Sequence, residues 1–150
     1  MIAQTIHQES AFSRVERIVP VPLHPLRLRE RGFNQAAVIA KVVAREMGIP
    51  LDSRTVIRIK HTDRHRAGMD EVARIKSVAR AFAVTRPERI RGETILLVDD
   101  VFTTGATLNA CSRVLVEAGA KAVYGFTVAR VMTWHSATDR TRGDKAPDRS

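Results

Sequence analysis

Cysteine is nearly absent from this 150-residue chain: Cys111 stands alone, which excludes an internal disulfide and a zinc site built from several thiolates. Aromatic residues make up only 5 %, and neither Phe33 nor Phe82 sits in an aromatic-basic array of the kind that stacks nucleic-acid bases. No apolar run approaches the roughly 20 residues that a membrane helix needs. Met1 to Arg14 lacks the basic-then-apolar order of a secretory signal, so a cytoplasmic chain with no membrane partner is expected. There is no Gly-x-x-x-x-Gly-Lys for a P-loop and no Gly-x-Gly-x-x-Gly for a dinucleotide site. Solenoid-period repeats and low-complexity tracts are missing too.

Acids are the minority charge. Lys and Arg number 25 against 16 Asp and Glu, a net charge of +9, which points to an anionic substrate or partner. The excess is uneven. Between Arg54 and Arg91, eleven basic residues face four acids, so that stretch alone carries +7. A second cluster, Arg27, Arg29 and Arg31, follows a short apolar segment near the start. Composition does not decide between nucleic acid and a small phosphate compound. The length fits one domain, since a chain of this size buries roughly 70 % of its unfolded surface and seldom divides further.

Along the chain, Val15 to Leu23 has the β-branched content of a strand, but Pro20 and Pro22 cannot donate to a ladder, so its end leaves the sheet as a basic loop, His24 to Gly32. Asn34 opens a run with Ala37, Ile39, Ala40, Val43 and Met47 at near-helical spacing, closed by Gly48 and Pro50. Thr55 to Ile59 reads as a short strand with Ala81 to Val84 as its return. The polar, poorly patterned stretch from His61 to Lys76 between them reads as a mobile arm. Thr94 to Val98 is a buried strand, Gly105 to Ala118 a helix, and Ala122 to Ala129 another strand. Alternating strands and helices give a parallel sheet in an α/β fold with three layers, its ligand site at the C-terminal strand ends. The expected units are an N-terminal segment 1–14, a domain 15–132 and a disordered tail 133–150.

The chemistry concentrates in Ile95 to Thr107, ILLVDDVFTTGAT. A buried strand ends in two carboxylates, and a helix then opens through Thr103, Thr104, Gly105, Ala106 and Thr107. Amides at a helix N-terminus, a close-approach Gly and three hydroxyls make an anion cradle. Asp99 and Asp100 would repel the same phosphate unless the ligand brings hydroxyls or a metal ion to their position. Ribose 5-phosphate meets both demands, its phosphate in the cradle and its 2- and 3-hydroxyls on the acids. An acidic pair alone is commonly a solvated capping turn; the whole run is not. An aspartyl-phosphate receiver drops out, because no later strand ends in an Asp nucleophile. Cys111 lies on the apolar face of the helix and reads as core, and His24 as structural.

Ile95 to Thr107 resembles the phosphoribosyl pyrophosphate (PRPP) motif of type I phosphoribosyltransferases. Around it, Val19 to Pro25 (VPVPLHP), Arg29 to Gln35 (RERGFNQ), Ala81-Phe82, Glu117 to Ala120 (EAGA) and Val128-Ala129-Arg130 are similar in order and spacing to the ComF family. The resemblance spans residues 18 to 130. It implies the type I phosphoribosyltransferase fold with a flexible β-arm over the site. By it, Asp99 and Asp100 hold the ribose diol and, through its hydroxyls, indirectly a Mg²⁺ ion. Thr103 to Thr107 hold the 5-phosphate, Arg27, Arg29, Arg31 and Gly32 face the pyrophosphate, and Lys60, Arg64 and Arg66 belong to the lid. The implied reaction transfers ribose 5-phosphate from PRPP, or a related ribose phosphate, to a nitrogenous acceptor with release of pyrophosphate. Two alternatives stay open: a PRPP- or nucleotide-binding protein without turnover, and a factor associated with DNA uptake. The sequence departs from the family in three ways. The chain has neither the usual four-cysteine zinc module nor the helix after it, so an uncovered sheet face and self-association as a homodimer are expected. His65 stands where a Gln is usual, and Ser77 where an Asn is.

Overall fold

A computed structural model describes residues 10–61, 71–100, 105–128 and 131–134. Strand β1 (Arg17–Pro20) lies beside β4 (Thr94–Asp99), followed by β5 (Ala122–Thr127) and β6 (Val131–Trp134). The pairs β1·β4 and β4·β5 are parallel, and β5·β6 is antiparallel. All six residues of β4 are buried, as a strand covered on both faces must be. Side chains alternate across the sheet, so Ile95 and Leu97 enter one core with Leu108, Cys111 and Leu115, while Leu96 and Val98 enter the other with Ala40, Val43 and Ala44. These are the two helix-on-sheet contacts of a three-layer α/β fold.

The prolines of β1 fit the edge they occupy. Val21 donates its amide to Val98 O, and Ile18 bonds on the opposite side, donating to Pro50 O and accepting from the Asp52 amide. Alternation puts the missing N–H of Pro20 on that second side, outside the ladder with β4.

The expected basic loop is a helix instead. Helix α1 (Pro25–Arg31) begins with Pro25 in its first turn, has His24 as N-cap accepting from the Leu26 amide, and ends at Gly32, whose φ is 79° and whose amide donates to Leu28 O. None of its residues is buried, so it carries no apolar periodicity. Helix α2 (Gln35–Met47) starts from the Asn34 cap and stops at Gly48, as the spacing predicts.

Strands β2 (Val56–Arg58) and β3 (Phe82–Val84) form the expected antiparallel pair. The stretch between them is not wholly an irregular arm: Glu71–Val78 form α3, which lies against α4 (Ala106–Glu117), and Arg113 of α4 donates to Ala79 O just past its end. At the chain's far end, Thr133 and Trp134 do not belong to a tail; in β6 they pair with Tyr124 and Val123. Upstream, Phe12 in the 3-10 turn Ser10–Arg14 packs into the α2-side core, edge-on to Tyr124 at 6.2 Å, so part of the 1–14 segment belongs to the fold. Among the described residues no helix is long and apolar enough to cross a membrane.

Candidate functional site

The C-terminal ends of β1 and β4 carry the polar chemistry. A cleft opens there, walled by Val21, Pro22 and Leu23 from the end of β1, Arg31 from α1, Asn34 and Gln35 from the start of α2, Arg58 from β2, and Asp99 and Asp100 at the end of β4. Parallel strands deliver their ends to one edge of the sheet, which is why loops far apart in sequence meet there.

The two acids are not equivalent. Asp99 is the last residue of β4, buried, in register with Thr127, and its Oδ1 accepts the Asp100 amide at 2.9 Å. Asp100 is half-buried on the cleft wall. One carboxylate is therefore fixed by the strand while the next meets solvent. Gly105 takes φ 75° at the N-cap of α4, a conformation that L side chains rarely adopt, and Ala106 and Thr107 form the first turn with half-buried side chains. Thr103 and Thr104 lie outside the described residues.

The three arginines of α1 do not converge. Residues four apart share a helix face and residues two apart do not. Arg31 lines the cleft; Arg27 is half-buried and 3.7 Å from Glu30, Arg29 is exposed, and neither lines the cleft. Gly32 ends the helix and turns the chain toward Asn34. Of the lid residues, Lys60 is exposed and outside the cleft, its amide bonded to Ala81 O and its carbonyl accepting from Arg58 Nε. Arg64 and Arg66 lie outside the described residues, as does His65. His24 caps α1 and meets His61 edge-on at 5.1 Å, so the cap also touches the start of the arm.

Arg58 and Asn34 line the cleft without being among the site residues that the sequence suggests. Arg58 is buried, its guanidinium 5.3 Å from the ring centroid of its cross-strand partner Phe82. Apolar alternation points the wrong way here: it assigns Ile57 and Ile59 to the interior, whereas Val56 and Arg58 face in and the isoleucines are exposed. Asn34 spans the cleft wall, its Oδ1 accepting from the Ala36 amide at 3.1 Å and its Nδ2 donating to Val21 O at 3.0 Å. Its signal was the capping position, read only for the helix it starts.

Cys111 is fully buried in the core against the sheet, and burial pushes its thiol far up, reinforced by the charge of Asp99. It is no nucleophile. No group of three or more His, Cys, Asp or Glu able to cage a metal occurs among the described residues.

Residues 34–149 match the family described as "Phosphoribosyl transferase domain". Competence protein F of Haemophilus influenzae is 38 % identical over 117 residues, 77 % of this chain and 50 % of that protein. Competence protein ComFC of Bacillus subtilis is 35 % identical over 127 residues, 81 % of this chain and 49 % of its own length. DNA utilization protein YhgH of Escherichia coli is 32 % identical over 117 residues, 78 % of this chain and 50 % of its own. The chain thus spans about half the length of these curated relatives. Among solved structures, glutamine PRPP amidotransferase from B. subtilis, complexed with ADP and GMP, superposes with a TM-score of 0.52 at 20 % identity, over 84 % of this chain and 25 % of that one. At that identity the likeness concerns the fold.

Proposed function

Because the chain belongs to the phosphoribosyltransferase family, and within it to the ComF group, we propose that its cleft binds PRPP and transfers ribose 5-phosphate to a nitrogenous acceptor, releasing pyrophosphate. The observation that carries this reading is the meeting of Asp99 and Asp100 with Arg31 and Asn34 at one edge of the sheet. A sugar diphosphate needs acceptors for its hydroxyls and donors for its phosphates a few ångströms apart, and a uniformly basic groove would offer only the second.

In this reading Asp99 and Asp100 accept hydrogen bonds from the ribose 2- and 3-hydroxyls. Thr103 to Thr107 hold the 5-phosphate, with the Gly105 turn letting backbone amides approach closely. Arg31 takes the pyrophosphate, a planar donor suited to paired phosphate contacts. Arg27 and Arg29 contribute to the field around it, and Gly32 turns the chain beside it. Catalysis is positioning and charge neutralisation, because the C1–oxygen bond breaks toward a sugar cation that two nearby carboxylates stabilise. Lys60, Arg64 and Arg66 belong to the arm that would exclude water. Mg²⁺ suits this donor set as a passenger on the substrate: it favours one or two carboxylates plus substrate phosphates over an all-protein cage, and Asp99 and Asp100 are the carboxylates available in the cleft. When bound, it neutralises pyrophosphate charge.

Calorimetry with PRPP, with and without Mg²⁺, tests binding, and pyrophosphate release across a panel of nitrogenous bases tests turnover. Asp99→Asn/Asp100→Asn is expected to weaken PRPP binding by at least roughly tenfold, the equivalent of about 1.4 kcal/mol; unchanged binding would refute the site. The relatives' names speak of competence and DNA utilization and not of a transferase, which favours a second reading, binding without turnover. PRPP binding with no pyrophosphate release on any base would establish that one.

A further inference from the structure

Ala81-Phe82 belongs to the ComF-like pattern, yet neither residue lines the cleft and both are buried in the core beside α4. Their contacts converge on one cleft residue, Arg58. Phe82 stands directly opposite Arg58 in the β2–β3 pair, its ring centroid 5.3 Å from the guanidinium. Ala81 O accepts the Ile59 amide at 2.7 Å and the Lys60 amide at 3.4 Å, and the Lys60 carbonyl in turn accepts from Arg58 Nε at 3.3 Å. The Ala81 amide donates to Val78 O at 3.0 Å, which ties this turn to the end of α3. Arg58 is thus held by an aromatic face and by a carbonyl at its near nitrogen, and both supports depend on Ala81-Phe82.

A buried cation is costly unless something compensates it, and Arg58 is only 7 % exposed. Among the described residues no other Lys or Arg is buried, and Arg31, the second cation lining the cleft, is exposed. Asp99 and Asp100 share the cleft with Arg58, and the charges of Asp99 and Arg58 both reach the Cys111 thiol. The cleft also gathers Leu23, Arg31, Asn34 and Gln35, which follow β1 on the side assigned above to pyrophosphate. Ala106 and Thr107, on the side assigned to the 5-phosphate, do not line it.

We propose that Arg58 binds the pyrophosphate end of the substrate and that Phe82 is the positioning residue that aims it. This rests on the PRPP reading above and assigns that end a second cation, on a different element from Arg31. An exposed arginine has to be immobilised when a ligand arrives, whereas Arg58 is already fixed, so a diphosphate meets a preorganised fork of donors. Arginine suits the position because its guanidinium is more weakly hydrated than an ammonium, stacks on aromatic faces and keeps its charge when buried.

Calorimetry of the full chain in Mg²⁺ with three probes, PRPP, pyrophosphate and ribose 5-phosphate, tests both roles. Phe82→Leu keeps an apolar side chain in the core and removes the ring; it should bind PRPP and pyrophosphate about fivefold more weakly than wild type does. Its affinity for ribose 5-phosphate should stay within about twofold of wild type. Arg58→Lys keeps the charge without the fork and should weaken PRPP and pyrophosphate by at least roughly tenfold. A change that merely loosened the fold would weaken all three probes alike. In the unaltered protein, the Arg58 Nε–H nuclear magnetic resonance should shift on adding pyrophosphate and stay in place with ribose 5-phosphate. The role of Arg58 is overturned, with the PRPP reading intact, if wild type binds PRPP while that resonance ignores pyrophosphate. The role of Phe82 is overturned if Phe82→Leu keeps wild-type affinity for pyrophosphate or loses affinity for all three probes together. Wild type that binds none of the three overturns the PRPP reading itself, and both roles with it.

Discussion

Asn34 joins two parts of the site through a single amide. Its oxygen caps α2 and its nitrogen holds the end of β1 at Val21, so the cleft wall and the helix start are one bonded unit. Asn34→Ser keeps a capping oxygen but has no second arm for Val21 O; Asn34→Ala keeps neither. Chemical denaturation should find the Ala variant less stable than wild type by about 1 to 2 kcal/mol, with Ser in between. Equal losses for Ser and Ala would mean that the cap contributes nothing. Legibility in the sequence follows the same division of labour. Asp99 and Asp100 stood out because two acids directly after a buried apolar strand have no packing explanation. Arg58 did not, because its burial depends on which face of a three-residue strand meets the sheet, and the apolar neighbours Ile57 and Ile59 pointed to the other face.

At the scale of elements, those legible in the sequence are the ones that bury a face. β4, α2 and α4 carry their periodicity because packing demands it. Helix α1 buries nothing and rests on local devices: Pro25 in its first turn, the His24 cap, the Arg27–Glu30 pair and the left-handed Gly32. Three prolines within six residues then read as loop. β6 was not legible, and its second half fell in the expected tail from 133, because an edge strand is specified by its partner β5 more than by its own composition. The joint between β1 and the β2–β3 pair depends on Asp52. Burial would raise its carboxyl, but the Thr55 hydroxyl, the Arg54 and Thr55 amides and the Arg89 cation outweigh that and hold it below the ordinary carboxylate value. The folded protein therefore binds fewer protons here than the unfolded chain, whose Asp ionises near ~3.9. The resulting stability is complete above that pH and is lost as pH falls through the lower, folded value. Asp52→Asn should be less stable than wild type at pH 7, and the gap should narrow below about pH 4, as read from denaturation midpoints across pH 7 to 3. A gap that stays constant with pH would place the contribution in packing and not in charge.

For the molecule as a whole, cations stand at both ends of one sheet. Arg31 and Arg58 belong to the end that carries Asp99 and Asp100, and the cations of the turns before β4 and β5 belong to the other. Sequence order conceals this, because Arg58 and Arg54 are neighbours in the chain yet sit at opposite ends of the same short strand pair. The chemistry of the cleft has a consequence for the whole fold. A ligand at 100 times its Kd stabilises the fold by about 2.7 kcal/mol, which in a chain of this size is a rise in Tm of roughly 5 to 11 °C. Mg²⁺-PRPP at that excess should therefore raise the Tm of the wild type by this amount. At the same concentration it should raise that of Asp99→Asn/Asp100→Asn by about half as much, since a tenfold weaker site is only ten times over its Kd. An equal rise in both proteins would place the ligand outside the cleft.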